Sequence, residues 1–83
     1  MLTIYGKSNC GYCTKAKELA EQYHLKYEYR DIEQFEFLEQ MVTMAPNTKT
    51  VPQIWWNGRH VGGYNEFTTE ISNTIGNYGQ GAF

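Results

Sequence analysis

The stretch LTIYGKSNCGYCTKAKELAEQY, residues 2–23, changes its hydrophobic period partway along, and that change decides the fold. Leu2-Thr3-Ile4-Tyr5 alternates and is β-branched and aromatic, which reads as a strand. Gly6 to Asn9 forms a loop. From Gly11 the spacing turns helical. Cys13, Ala16, Leu19, Ala20 and Tyr23 fall at i, i+3, i+6, i+7 and i+10, on one face of a helix. Thr14, Lys15, Lys17, Glu18, Glu21 and Gln22 take the wet face, and the helix ends near His24.

Working outward, Leu25 to Asp31 reads as a second strand with Tyr27 and Tyr29 on one side. Asp31 is expected as an N-cap, with Gln34 three residues on as in a capping box and Glu33 in the first turn. The helix that follows is expected to bury Phe35, Leu38, Met41, Val42 and Ala45, and Pro46 stops it. Residues 46–50 form a polar loop. Gln53-Ile54-Trp55-Trp56 and Arg59-His60-Val61-Gly62 flank Asn57-Gly58, a strong type I′ hairpin signal. Trp55 and Trp56 alternate across a strand, so one is expected in the core and the other exposed or against the ligand side. Arg59 reads as a solvated charge, and Glu33, Glu36 and Glu39 as a wet helix face. Asn65 reads as the N-cap of a third helix striped by Phe67, Ile71, Ile75 and Tyr78.

The order is β-α-β-α-β-β-α. A strand, crossover helix and strand imply a right-handed parallel pair, and the terminal hairpin is antiparallel. The expected architecture is an α/β mixed four-stranded sheet flanked by three helices. With no repeat and no linker, residues 1–83 read as a single domain, with residues 79–83 a flexible tail.

Composition narrows the function. The 83 residues are 41% hydrophobic, and two Trp, seven Tyr and four Phe supply large side chains for a small core. Two cysteines are too few for a disulfide scaffold or a closed zinc site. A net charge of −2 lacks the basic stripe of a nucleic-acid binder. No apolar run approaches membrane-spanning length, and Met1 to Tyr5 does not resemble a signal peptide. The expectation is a cytoplasmic protein that engages neither nucleic acid nor membrane.

The two cysteines, Cys10 and Cys13, lie where the first loop enters the first helix. A thiolate, not a thiol, is the sulfur nucleophile, and a free cysteine of pKa ~8.5 is mostly protonated at neutral pH. The unpaired N–H groups and partial positive charge of a helix start favour the thiolate of Cys10, and Lys7 adds to that field. Cys13, one turn deeper on the apolar face, is expected to be less exposed and less acidic. That asymmetry suits an attacking cysteine followed by a resolving one. A metal site built from Cys10, Cys13, His24 and His60 is disfavoured, because His24 falls at the far end of the helix.

Lys-Ser-Asn-Cys-Gly-Tyr-Cys (7–13), Thr-Val-Pro-Gln-Ile (50–54) and Gly-Gly-Tyr-Asn-Glu (62–66) together resemble the three signatures of a dithiol glutaredoxin of the short bacterial and phage type. The resemblance implies a thioredoxin-like fold and a glutathione-dependent thiol–disulfide oxidoreductase. It makes Cys10 the nucleophile and Cys13 the resolving cysteine. It implies that Lys7 and Tyr12 hold the glycine end of glutathione. It also implies a cis proline at Pro52, with Thr50 and Val51 pairing the glutathione backbone. Gly63, Tyr64, Asn65 and Glu66 then meet the γ-glutamyl end.

Its expected partners are glutathione and disulfide-bonded or glutathionylated client proteins, ribonucleotide reductase among them, with the chain a monomer. Two positions depart from the family pattern. Glu66 stands where the family usually has Asp. Gly11 stands where dithiol members commonly have Pro, and small residues there accompany members that hold a [2Fe–2S] cluster between two subunits. The resemblance therefore carries an alternative, a cluster carrier using Cys10 and glutathione.

Overall fold

The switch from strand to helix falls where the sequence places it, in a computed structural model that describes residues 1–76, with side chains through Thr74. Strand β1 runs Leu2–Gly6 and helix α1 Gly11–Gln22. They are followed by β2 (Tyr27–Asp31), α2 (Phe35–Met44), β3 (Gln53–Trp56), β4 (Arg59–Gly62) and α3 (Tyr64–Ile71). A π-helical turn, Ser72–Gly76, extends α3. The four strands form one sheet in the order β2-β1-β3-β4. β1 is parallel to β2, with Ile4 opposite Tyr29 and Gly6 opposite Asp31, and antiparallel to β3, which pairs antiparallel with β4. Tyr78 and the expected tail lie outside the described residues.

The core forms on the face that α1 and α3 cover. Leu2, Ile4 and Ile54 from the sheet meet Ala16 and Ala20 of α1 and Phe67 and Ile71 of α3, all nearly inaccessible to solvent. Two alanines on the inner stripe of α1 let that helix lie close to the sheet. Trp56 meets Phe67 edge to face, with ring centroids 5.9 Å apart. Trp55 points the other way and is half-buried rather than exposed. His60 stacks on its ring at 4.3 Å and Tyr5 meets it edge-on at 5.3 Å. Among the described residues, no helix is long and apolar enough to cross a membrane.

Local signals explain the element ends. α1 closes on His24, which takes the left-handed conformation with φ 57°. The His24 N–H donates to the Glu21 carbonyl at 3.0 Å and the Leu25 N–H to the Ala20 carbonyl at 2.9 Å. That closure keeps Leu25 and Lys26 out of β2, which starts two residues later than its pattern suggests. Asn57 and Gly58 both have positive φ, 54° and 83°, as the type I′ turn requires.

Four expectations need correction. Asp31 does not cap α2; it ends β2, and its carboxylate accepts the Glu33 N–H at 2.8 Å in a turn that delays the helix to Phe35. The inward stripe of α2 is Phe37, Leu38, Met41 and Ala45. Phe35 and Val42 lie about 100–120° round the helix from Met41, and they are 73% and 44% exposed. The N-cap of α3 is Gly63, not Asn65, and the Glu66 carboxylate supplies the capping contact from inside the helix, accepting the Gly63 N–H at 2.8 Å. Arg59 is not simply solvated: it pairs with Glu70 and ties β4 to α3.

Candidate active site

Cys10 is the N-cap of α1, with extended backbone, and the Cys13 N–H donates to its Sγ at 3.2 Å. A sulfur thus does what a Ser or Asp oxygen ordinarily does at a helix start, accepting one of the orphan N–H groups. The same N–H and the helix dipole favour negative charge on that sulfur. Cys10 and Cys13 are joined as a disulfide, with Cα atoms 5.2 Å apart. The pair is asymmetric as expected. Cys10 is half-buried at the surface, whereas Cys13 is 1% exposed, on the stripe that carries Ala16 and Ala20. An arriving sulfur can reach Cys10 and cannot reach Cys13.

The floor beneath Cys13 is made by Gly6 and Tyr29. A Cβ built on Gly6 would fall within 3.0 Å of both the Cys13 Sγ and the Tyr29 hydroxyl. The Cys13 sulfur is buried and tied into the disulfide, and the half-buried Tyr29 must swing outward to make room. Gly6→Ala is therefore expected to destabilise the oxidised protein by about 1–3 kcal/mol, the range for overpacking. Urea unfolding of the two proteins measures it, and an unchanged midpoint would show that the floor has slack. The loop between, Lys7 to Asn9, is held from the side. The Ser8 hydroxyl donates to the Glu33 carboxylate, at 2.8 Å to Oε1. Glu33 is exposed like Glu36 and Glu39, but it lies in the turn before α2 and not on the helix to which its spacing assigned it.

Beside Cys10 runs an open cleft of about 260 Å³. One wall is Thr50, Val51 and Pro52, with the Val51–Pro52 bond cis, and the Cys10 Sγ lies 3.7 Å from the Val51 carbonyl oxygen. The other wall is Gly63, Tyr64, Asn65 and Glu66 at the start of α3. Tyr12, 57% exposed, closes one end with its ring 5.6 Å from that of Tyr64. These eight residues are the ones the sequence proposed around the thiol. Lys7 is not among the cleft lining; it is exposed in the loop before Cys10.

The wall at Thr50 is braced from behind. Gln53, 6% exposed, donates through Nε2 to the Thr50 carbonyl at 3.2 Å and to the Thr50 hydroxyl at 3.3 Å. Its Oε1 lies 2.8 Å from the Nε2 of His60. The Gln53 amide nitrogen is committed to Thr50, so its oxygen is the acceptor and His60 carries a proton on Nε2. The sequence reading weighed His60 only as a member of a disfavoured metal site, and its role here is support.

A larger hollow of about 590 Å³ lies on the opposite sheet face, near Arg30, Trp55 and Met44. It contains no thiol, and the Arg30 guanidinium there is engaged by Glu28, Tyr5 and Gln40. The chemistry belongs to the smaller cleft. Among the described residues, no three His, Cys, Asp or Glu side chains converge as metal ligands.

Comparison with known proteins points the same way. The family model described as Glutaredoxin matches residues 2–61. Glutaredoxin 1 of Escherichia coli K12 is 32% identical over 79 residues, covering 87% of this chain and 93% of that protein. The glutaredoxin of Vibrio cholerae is 33% identical over 82 residues, covering 90% and 94%. Among solved structures, reduced Escherichia coli glutaredoxin superposes with a TM-score of 0.75 at 31% identity, over 89% of this chain and 95% of that one. A buckwheat glutaredoxin–glutathione complex gives 0.74 at 24% identity, over 87% and 68%, a likeness of fold.

Proposed function

Since this chain belongs to the glutaredoxin family, we infer that it works as that family does, as a glutathione-dependent thiol–disulfide oxidoreductase of thioredoxin-like fold. The observation that carries the reading is the Cys10 sulfur, which caps α1, accepts the Cys13 N–H and is bonded to a buried partner. The Cys10 thiolate attacks a disulfide in a client protein or in a protein–glutathione adduct. With a protein disulfide, Cys13 then attacks the Cys10 sulfur, the client leaves as thiolate, and the Cys10–Cys13 disulfide remains. Two glutathiones reopen it, giving up two electrons and leaving as oxidised glutathione. With a glutathione adduct, Cys10 carries the glutathione until a second glutathione removes it.

We assign glutathione to the cleft beside Cys10. Support comes from the match between its walls and the residues the sequence motifs nominate. Val51, whose bond to Pro52 is cis, offers backbone for pairing an extended ligand. Tyr12 and Lys7 would take the glycine carboxylate, and the N–H groups opening α3 the γ-glutamyl carboxylate. The proposal extends to a single-domain monomer of the cytoplasm, which composition and chain organisation support, with ribonucleotide reductase one client, which the motif resemblance supports. The residues do not make a [2Fe–2S] site within one chain. Cys13 is buried against Cys10, and no other ligand set converges among the described residues.

The experiment that tests the reading is turnover of a glutathione mixed disulfide coupled to glutathione reductase and NADPH. Steady NADPH oxidation that depends on the protein is expected. Its absence would overturn the assignment.

A further inference from the structure

We propose that Tyr29 is the hydrogen-bond donor that receives negative charge on the Cys13 sulfur when the Cys10–Cys13 disulfide opens, a role that rests on the reductase reading above. Opening begins when a thiolate attacks the Cys10 Sγ. A bond forms between the incoming sulfur and Cys10, the Cys10–Cys13 bond breaks, and its electron pair leaves on Cys13. A second thiolate then takes the first off Cys10, releasing the Cys10 thiolate and a disulfide of the two reductant sulfurs. Cys13 finally takes a proton from water, so two electrons have entered the protein. The charge on Cys13 is transient and appears at a site that is 1% exposed. Burying a charge without a partner is costly, so a nearby donor decides how readily the bond opens.

Tyr29 is placed to be that donor. Its hydroxyl and the Cys13 Sγ both lie within 3.0 Å of the point where a Gly6 Cβ would stand, and Gly6 leaves that point empty. With the disulfide closed, the hydroxyl donates to the Lys7 carbonyl at 3.4 Å, a long contact that is readily given up. A thiolate is a much better acceptor than a disulfide sulfur, and a phenol O–H rotates freely to meet it. Lys17 of α1 sits over the Tyr29 ring, its ammonium 4.2 Å from the centroid, and by itself would favour loss of the phenol proton. The other groups that face Tyr29 outweigh it. Burial, and then the charges of Asp31 and Glu33, push the phenol above its ordinary range. The side chain therefore remains neutral and able to donate throughout the range in which thiol exchange runs.

The test is Tyr29→Phe, which keeps the ring under Lys17 and removes only the hydroxyl. The oxidised protein is opened with glutathione and, separately, with dithiothreitol, and both the rate and the equilibrium constant are measured. The rate is expected to fall about fivefold in the variant, the size of one net hydrogen bond, while the equilibrium constant stays the same because Cys13 ends as a protonated thiol in both proteins. An unchanged rate would overturn the proposal. So would faster opening, which is what loosened packing around Cys13 produces. The two reductants separate this inference from the function it rests on. If wild-type protein opens with dithiothreitol and not with glutathione, the glutathione-dependent reading falls. The dithiothreitol arm still decides Tyr29, because the departing sulfur is the same.

Discussion

Cys10→Ser reduces every disulfide-exchange activity of this protein to the uncatalysed background. The sulfur it removes is the only one an incoming disulfide reaches, because Cys13 is sealed at 1% exposure. The serine hydroxyl that replaces it remains protonated at neutral pH and cannot join a sulfur in a disulfide. The fold should survive, since a serine oxygen is at least as good an N-cap as the sulfur that now accepts the Cys13 N–H. The variant therefore separates chemistry from stability. Its melting temperature is expected to match or exceed that of reduced wild type, while turnover of both a protein disulfide and a glutathione adduct disappears. Residual turnover of either substrate well above background would mean that a second thiol is reachable and that the division between the cysteines is misplaced.

Cys13→Ser gives the opposite signature, a split between substrates. Removal of glutathione from a protein needs only Cys10 and a second glutathione, so it is retained. Reduction of a protein disulfide needs a sulfur to displace the client from Cys10. In wild type that sulfur is held on the next turn of the helix, with Cα atoms 5.2 Å apart. In the variant, free glutathione must substitute for it. Replacing an intramolecular nucleophile by one at millimolar concentration is expected to cost on the order of 10²-fold or more in rate. Parallel assays with insulin disulfides and with a glutathionylated peptide measure the split. An equal loss on both substrates would show that Cys13 supports Cys10 structurally, through its place in the core, and not as a resolving thiol.

Much of this was legible because the deciding signals are local. The change of period across residues 2–23 fixed β1 and α1, and with them the position of both thiols. Asn57-Gly58 fixed the hairpin through a backbone demand that few residue pairs meet. The cleft was legible as three short motifs brought together by that topology. Two of the misreadings share a cause: the local readings of Asp31 and Arg59 were sound in isolation and were overruled by a neighbour distant in the chain, whereas Asn65 lost its place to near neighbours. Asp31 was claimed by β1 pairing, Asn65 yielded to a backbone cap completed by Glu66, and Arg59 met Glu70 across from β4 to α3. Phe35 and Val42 look buried by type, but the inward direction of α2 is set by Met41 and Ala45. Tyr29 was read only as a strand residue. Its place beneath Cys13 depends on the parallel register of β1 and β2, which no local pattern carries.

The capping contact made by Glu66 bears on how the cleft fills. The helix start that would greet an incoming carboxylate already holds one, supplied by the chain, with the Gly63 N–H as its donor. An anionic ligand arriving there brings a second carboxylate to a helix start that already holds one, not the first to a vacant pole. The net gain in electrostatic energy is small, because attraction to the helix start is set against repulsion from Glu66. Occupancy of that end would then respond weakly to ionic strength, and selectivity would fall to the backbone of Val51 and the ring of Tyr12. A protein that must release oxidised glutathione in every cycle is served by such a self-satisfied pole.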